Sequence, residues 1–223
     1  MTYSDEEVAA AVEEAHIRGM RVVTHSRSAA AVKQAVRHGV DVIGHANYLD
    51  DEAVDMLEAK RDQIFVCPAI AWEITLLDRG SELGLPRDAM EQRGYQKEVD
   101  ETISAVKRLR DSKVRVLVGG DYGLNITPHG TNSKDLEYFV DLFGMSTSEA
   151  LLCATRDGGA AADTSGMVGT LEEGKYADLV IVDGNPLEDI RILQDHSRIV
   201  GVMKDGVMHC ALMQKNPYIA PDE

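Results

Sequence analysis

Four short runs of β-branched and apolar residues, each closing on polar, glycine or proline residues, constrain this chain more than any other feature. They are RVVTH over 21–25, VDVIGH over 40–45, IFVCP over 64–68 and VRVLVGGD over 114–121. Around and between them, helices are expected over residues 4–18, 29–37, 51–60 and 98–110, and a further one over 146–156. Ser4 with Glu7 three residues on has the capping-box pattern, and Gly19 follows as a stop. Residues 69–92 contain Gly80, Gly84 and Pro86 and read as a loop excursion. Strands alternating with helices imply a parallel sheet under helical cover, and brief apolar strands fit a sheet buried on both faces. Past Gly158 the texture changes. MVGTLEEGKYADLVIVDG reads as strand, turn, strand, and residues 199–210 as a hairpin about Asp205-Gly206.

Parallel strands present their carboxyl ends on one face, where barrels and open α/β sheets carry their active sites. His25, His45 and Asp121 each close one of these runs, so three unlike polar residues converge on that face. A single strand-end His is as a rule a satisfied polar residue. Two imidazoles separated by one helical crossover, joined by a carboxylate, also suit Zn²⁺, Mn²⁺, Fe²⁺ or Co²⁺. A carboxylate beside a metal-held water can serve as its base. Spacing alone leaves both readings open.

Composition excludes other classes. Lys and Arg number 23 against 38 Asp and Glu, a formal net charge of −15, which lacks the positive footprint of a nucleic-acid binder or of a protein adsorbed to anionic membrane. No apolar stretch is long enough to span a bilayer, and the opening residues lack the basic and apolar regions of a signal peptide. Cys67, Cys153 and Cys210 are too few and too dispersed for a disulfide scaffold, so a cytoplasmic setting is expected. Cys67 reads as core. Gly119-Gly120 reads as a close backbone approach, since no Gly-x-x-x-x-Gly-Lys pattern makes it a phosphate loop.

Five segments resemble the metal-dependent amidohydrolase superfamily, in its imidazolonepropionase-like and prolidase-like branch. They are RGMRVVTHS with His25, HGVDVIGHANYLD with His45, IFVCPAI, VLVGGDYG with Asp121, and the stretch from GMSTSEALL to GNPLEDI. Within the last, the Gly-x-Leu-x-x-Gly-Lys-x-Ala-Asp-Leu-Val run at Gly169 to Val180 is the most specific. The resemblance implies an α/β fold of the (β/α)8 TIM-barrel type, with His25 and His45 ending the fifth and sixth strands as metal ligands. Asp121 would end the eighth, binding metal and serving as general base. It implies hydrolysis of a carbon–nitrogen bond in an amide, cyclic amide or dipeptide. One or two divalent metals would serve, zinc first, with manganese, iron or cobalt as alternatives.

The sequence has no His-x-His, and no strand-ending Lys or Glu precedes His25. On this basis the chain is expected to be a partial barrel, strands five to eight over residues 1–160. Strands of a composite β-sandwich would follow over 161–214, then a loose tail over 215–223. Missing N-terminal residues or a partner subunit would complete it, bringing His-x-His and a Lys or Glu; a homo-oligomer is the other route to closing the sheet. The isolated chain would then be weakly active or inactive. A non-catalytic scaffold or regulatory subunit, or a metal-dependent decarboxylase, is the alternative. For a small-molecule substrate, Tyr48, Trp72, Tyr122 and His129 are the expected contacts, each also readable as packing or as an exposed loop residue. Arg79, Arg87 or Arg93 would clamp a substrate carboxylate.

Overall fold

The computed structural model describes residues 2–211; the tail expected over 215–223 lies outside them. Helix α1 (Asp5–Ile17) starts on the expected capping box, with the Ser4 hydroxyl accepting from the Glu7 amide and the Glu7 carboxylate accepting from the Ser4 amide. Four strands follow, β1 (Val23–Ser28), β2 (Val42–Tyr48), β3 (Phe65–Cys67) and β4 (Arg115–Val116). They form one parallel sheet in sequence order, β1-β2-β3-β4. Helix α2 (Ala29–Arg37), capped by Ser28, connects β1 to β2, and α3 (Asp51–Ala59), capped by Asp50, connects β2 to β3. In-order parallel strands with helical crossovers are the progression of a barrel wall.

The stretch read as a loop over 69–92 is largely helical. It carries α4 (Ile70–Arg79), a 3₁₀ turn at Gly80–Leu83 and α5 (Arg87–Gln92). Buried Ile70, Ala71, Leu76 and Leu77 hold α4 against the core, and Gly84 (φ 74°) provides the left-handed turn before Pro86 starts α5. Helix α6 (Tyr95–Asp111) then crosses the outer face and leads into β4. The strand expected up to Val118 pairs only over Arg115–Val116, because Gly119, Gly120 and Asp121 all take positive φ and leave the ladder. Helix α7 (Lys134–Asp141) was not foreseen. Helix α8 (Thr147–Leu152) begins on a second capping box at Ser146 and runs through a π-helical turn at Cys153–Asp157 into α9 (Gly158–Ala162).

Strands β5 (Leu179–Val182), β6 (Ile199–Lys204) and β7 (Val207–Ala211) form a separate antiparallel sheet. The Asp205-Gly206 turn has positive φ at both residues, as a type I′ turn demands, and Asp178 secures it by accepting from the Asp205 amide at 2.6 Å. The strand expected before residue 179 is absent. Its Gly169 instead lies against Gly159 of α9, where a Cβ on Gly159 would fall 2.5 Å from the Gly169 Cα, so backbone meets backbone there.

The partial-barrel expectation, with its bare interior awaiting missing strands or a partner chain, is corrected by the packing. One continuous core runs from Val12 of α1 through Ile43, Leu57, Val66, Leu109 and Phe139 to Ile190. The other face of the sheet is also covered. Val42, Phe65 and Leu117 cluster there with Ala160 and Ala161. The Arg115 guanidinium stacks 3.8 Å above the Phe65 ring centroid, with that of Arg21 at 5.6 Å. Arg21 also donates to the carbonyls of Ala160 and Ala161. Among the described residues the parallel sheet is thus covered on both faces, whereas the antiparallel sheet leaves Val180, Ile181, Val207 and Met208 exposed.

Phe65 is the bulkiest side chain of that inner cluster. Phe65→Ala is expected to lower the unfolding free energy by about 3–5 kcal/mol, measured by urea denaturation. A loss below about 1 kcal/mol would mean that this face is not packed as described.

Candidate functional site

The carboxyl ends of the parallel strands carry the polar residues. Register pairs His25 with Gly44 and Ser26 with His45, and the ladder slips between Ser26 and Ser28. His25 is exposed, whereas His45 is buried. Their rings meet edge to face, with His45 Nε2 2.8 Å from His25 Nδ1. Asp121, just past β4, brings Oδ2 to 3.9 Å from His45 Nε2. All three expected residues are therefore brought together, although both His sit inside their strands where the sequence suggested strand ends.

Burial, helped by the positive charges of Arg27 and His25 and opposed by Asp121, holds His45 down to about 4. At neutral pH it is an uncharged imidazole, the form that ligates metals. The Arg27 Nε–H points at His25 Nε2 at 3.4 Å, and the Arg27 guanidinium is ion-paired with Glu98 of α6. His45 Nδ1 is buried without a hydrogen-bond partner.

The donor types fit a divalent cation: two imidazole nitrogens facing one another, one of them held neutral, with a carboxylate beside them. Among the described residues no group of three or more His, Cys, Asp and Glu side chains is placed to hold a metal ion, so the chain presents a donor pair with a nearby carboxylate.

The remaining expected residues are placed as follows. Tyr48 closes β2, half-buried, with its hydroxyl pKa raised by burial and by the charges of Glu73 and Glu101. Trp72 packs from α4 against the hydrophobic core. Tyr122 lines a separate cavity of about 430 Å³ between α4, the 126–134 loop and α7, whose walls do not include His25, His45 or Asp121. His129 is exposed and lies over Gly123, where a Cβ would fall 2.9 Å from its Nε2. Arg79 is paired with Glu82, and Arg87 with Asp78 and Glu91, so neither is a free clamp.

Two buried acids escaped the sequence reading. Glu73 of α4 is fully buried and hydrogen-bonded to Asn47 and Thr102. Asp135, at the start of α7, accepts from the Gly119 amide at 2.9 Å, while its Oδ1 and the Tyr122 hydroxyl are buried without partners. Burial pushes both carboxyls up to about 7. The one available signal was an acidic residue among apolar helix positions, which the loop reading of 69–92 and the unforeseen α7 concealed.

The comparisons with known proteins agree with this architecture. The model of the amidohydrolase family matches residues 1–208. Ochratoxinase of Aspergillus niger is 27% identical over 220 residues, covering 98% of this chain and 43% of the relative. Imidazolonepropionase of Sphingopyxis alaskensis is 26% identical over 190 residues, covering 83% of this chain and 41% of the relative. A solved Xaa-Pro dipeptidase with methionine bound in its active site is 30% identical, with a TM-score of 0.80 over 94% of this chain and 49% of its own. The chain thus spans about half the length of the relatives it matches. The expectation that the likeness is only to a C-terminal half is corrected by the family match, which runs over nearly the whole chain. Among the described residues no helix is long and apolar enough to cross a membrane.

Because the folded protein keeps a proton on Asp135 that the unfolded chain releases near 3.8, its contribution to stability is full below about 3.8 and is lost as pH rises through about 7. Asp135→Asn carries no such proton. Its thermal midpoint relative to the parent should shift in the variant's favour by several degrees between about pH 4 and about pH 7, measured by scanning calorimetry. A constant difference across that range would show that Asp135 is charged in the fold.

Proposed function

The chain belongs to the amidohydrolase family, and from that premise we propose that it hydrolyses a carbon–nitrogen bond in an amide, cyclic amide or dipeptide. The observation that carries this reading is the meeting of His25 Nδ1, His45 Nε2 and Asp121 Oδ2 at the carboxyl ends of parallel strands, at 2.8 Å and 3.9 Å. His25 and His45 would hold a divalent cation, zinc before manganese, iron or cobalt, with Asp121 beside it. The chemistry such a cation supplies when bound is Lewis acidity, which polarises a carbonyl and acidifies a water.

The chain's own residues account for the proton path. Asp121 takes the proton from the attacking water as the new carbon–oxygen bond forms. It then delivers that proton to the leaving nitrogen as the carbon–nitrogen bond breaks. Asp121 is more than a third exposed, which leaves it open to a water and to a substrate. His45, kept neutral, retains a lone pair for the cation across the neutral range. Tyr48, three residues beyond His45, and His129, over the loop that follows Asp121, are offered as substrate contacts.

The test is hydrolysis of a panel of N-acyl amino acids and dipeptides by the chain supplied with Zn²⁺ or Mn²⁺. Asp121→Asn should lower kcat by about 10²- to 10⁴-fold with the fold retained. His25→Ala and His45→Ala should each weaken Zn²⁺ binding in titration calorimetry. Full turnover by Asp121→Asn, or parental zinc affinity in both His variants, would overturn the assignment.

A further inference from the structure

Strand β2 departs from strand geometry at its functional residue. His45 and Ala46 have φ of 71° and 55°, two consecutive residues with side chains in the left-handed region. Such backbone persists only where the surroundings over-determine it. On the amino-terminal side the constraint is the ladder itself. Gly44 lies so close to β1 that a Cβ would stand 2.5 Å from the Thr24 carbonyl oxygen.

On the carboxyl-terminal side the constraint is a set of buried polar groups, in which the Asn47 Oδ1 alone of the Asn47 side-chain atoms is left without a partner. Asn47, Glu73 and Thr102 are each 0% exposed. The Asn47 side-chain amide donates to Glu73 Oε1 at 2.5 Å and to Thr102 Oγ1 at 2.6 Å. The Thr102 hydroxyl lies 2.9 Å from Glu73 Oε2 and 2.8 Å from the Glu98 carbonyl, and donates to one of them at a time. Glu73 comes from α4 and Thr102 from α6, so Asn47 fastens β2 to two helices at once. A fully buried carboxyl is costly, and an apolar side chain of similar volume would pack there more cheaply. Its retention needs a reason of geometry, and the strained pair it adjoins supplies one.

We propose that Asn47, Glu73 and Thr102 form a clamp that holds the left-handed backbone at His45 and Ala46, with Glu73 as the positioning residue that aims the His45 imidazole at His25 and Asp121. The use to which His45 is put rests on the function proposed above; the hold on the backbone does not. Glu73→Gln keeps an oxygen for Asn47 and turns its amide toward Thr102 Oγ1, whose hydroxyl still has the Glu98 carbonyl. Glu73→Leu removes both bonds that α4 makes to the set, leaving Asn47 tied to Thr102 alone. Thr102→Val removes the shared hydroxyl at nearly constant volume.

Two measurements test this. In titration calorimetry with Zn²⁺, Glu73→Gln should bind within about twofold of the parent chain, whereas Glu73→Leu and Thr102→Val should bind about 10- to 100-fold more weakly. In crystal structures of the same variants, positive φ at His45 and Ala46 and the His25–His45 contact should survive in Glu73→Gln. They should be lost in Glu73→Leu, or in Thr102→Val where Glu73→Leu does not fold. If the variants lose thermal stability alone, with zinc affinity and the geometry at 45–46 unchanged, the clamp is refuted and the cluster is merely structural. If the parent chain binds no zinc, the proposed function fails, and the crystal structures decide the clamp by themselves.

Discussion

The candidate site depends on how the parallel strands leave their ladder. Near the carboxyl rim the backbone turns left-handed in three places: within β2 at His45 and Ala46, where the ladder to β1 slips, at Ala69 after Cys67-Pro68, and at Gly119, Gly120 and Asp121 after Val118. A strand that kept extended dihedrals would send alternate side chains to opposite faces. The left-handed residues break that alternation at His45 and Asp121, which meet His25 on one spot. The exits also interlock, since a Cβ on Gly120 would stand 2.5 Å from the Ala69 Cβ, so the third and fourth strand ends fix one another. Cys67 adds to this join, its thiol donating to the Gly119 carbonyl at 3.0 Å, with its own pKa pushed up to about 12 by burial.

Burial at that rim selects neutral forms. His45 is held neutral from below, and Glu73 and Asp135 are drawn toward the protonated form from above. Such an arrangement matters more than the surface charge of the chain. A net charge of −15 is spread over solvated carboxylates, many of them paired with surface Lys and Arg, and pairs of that kind contribute little to stability. The groups that shape the site are few and dry, and they act by desolvation first.

Much of this was legible in the sequence where the signal was local. The capping box at Ser4, the Asp205-Gly206 turn and the short apolar strands each follow from residues close together in the chain. His25, His45 and Asp121 could be grouped because parallel strands share a carboxyl face, a rule that needs only strand order. The Asn47–Glu73–Thr102 set had no such rule. Its members are separated by 26 and 29 residues, and none has a motif spacing with another. Helix α4 was hidden because Gly80, Gly84 and Pro86 follow so closely on its apolar stripe. The strand expected before residue 179 failed for a different reason. Gly169 fits against the backbone of α9, a docking that strand propensity does not encode.

The correction to the half-barrel expectation comes down to what can cover an apolar sheet face. Val42, Phe65 and Leu117 share that face, and an apolar row must be shielded from water. Arg21 and Arg115 answer that need. A guanidinium is weakly hydrated on its flat face and can lie on an aromatic ring while its edge keeps its hydrogen bonds. Arg115 does this over Phe65 and donates to the carbonyls of Arg61 and Asp62; Arg21 does it while donating to the last carbonyls of α9. The same two side chains therefore shield the ring and satisfy backbone acceptors that no strand or helix uses. A row of apolar residues in a sequence fixes which face must be shielded from water; it does not fix that the shield is itself apolar.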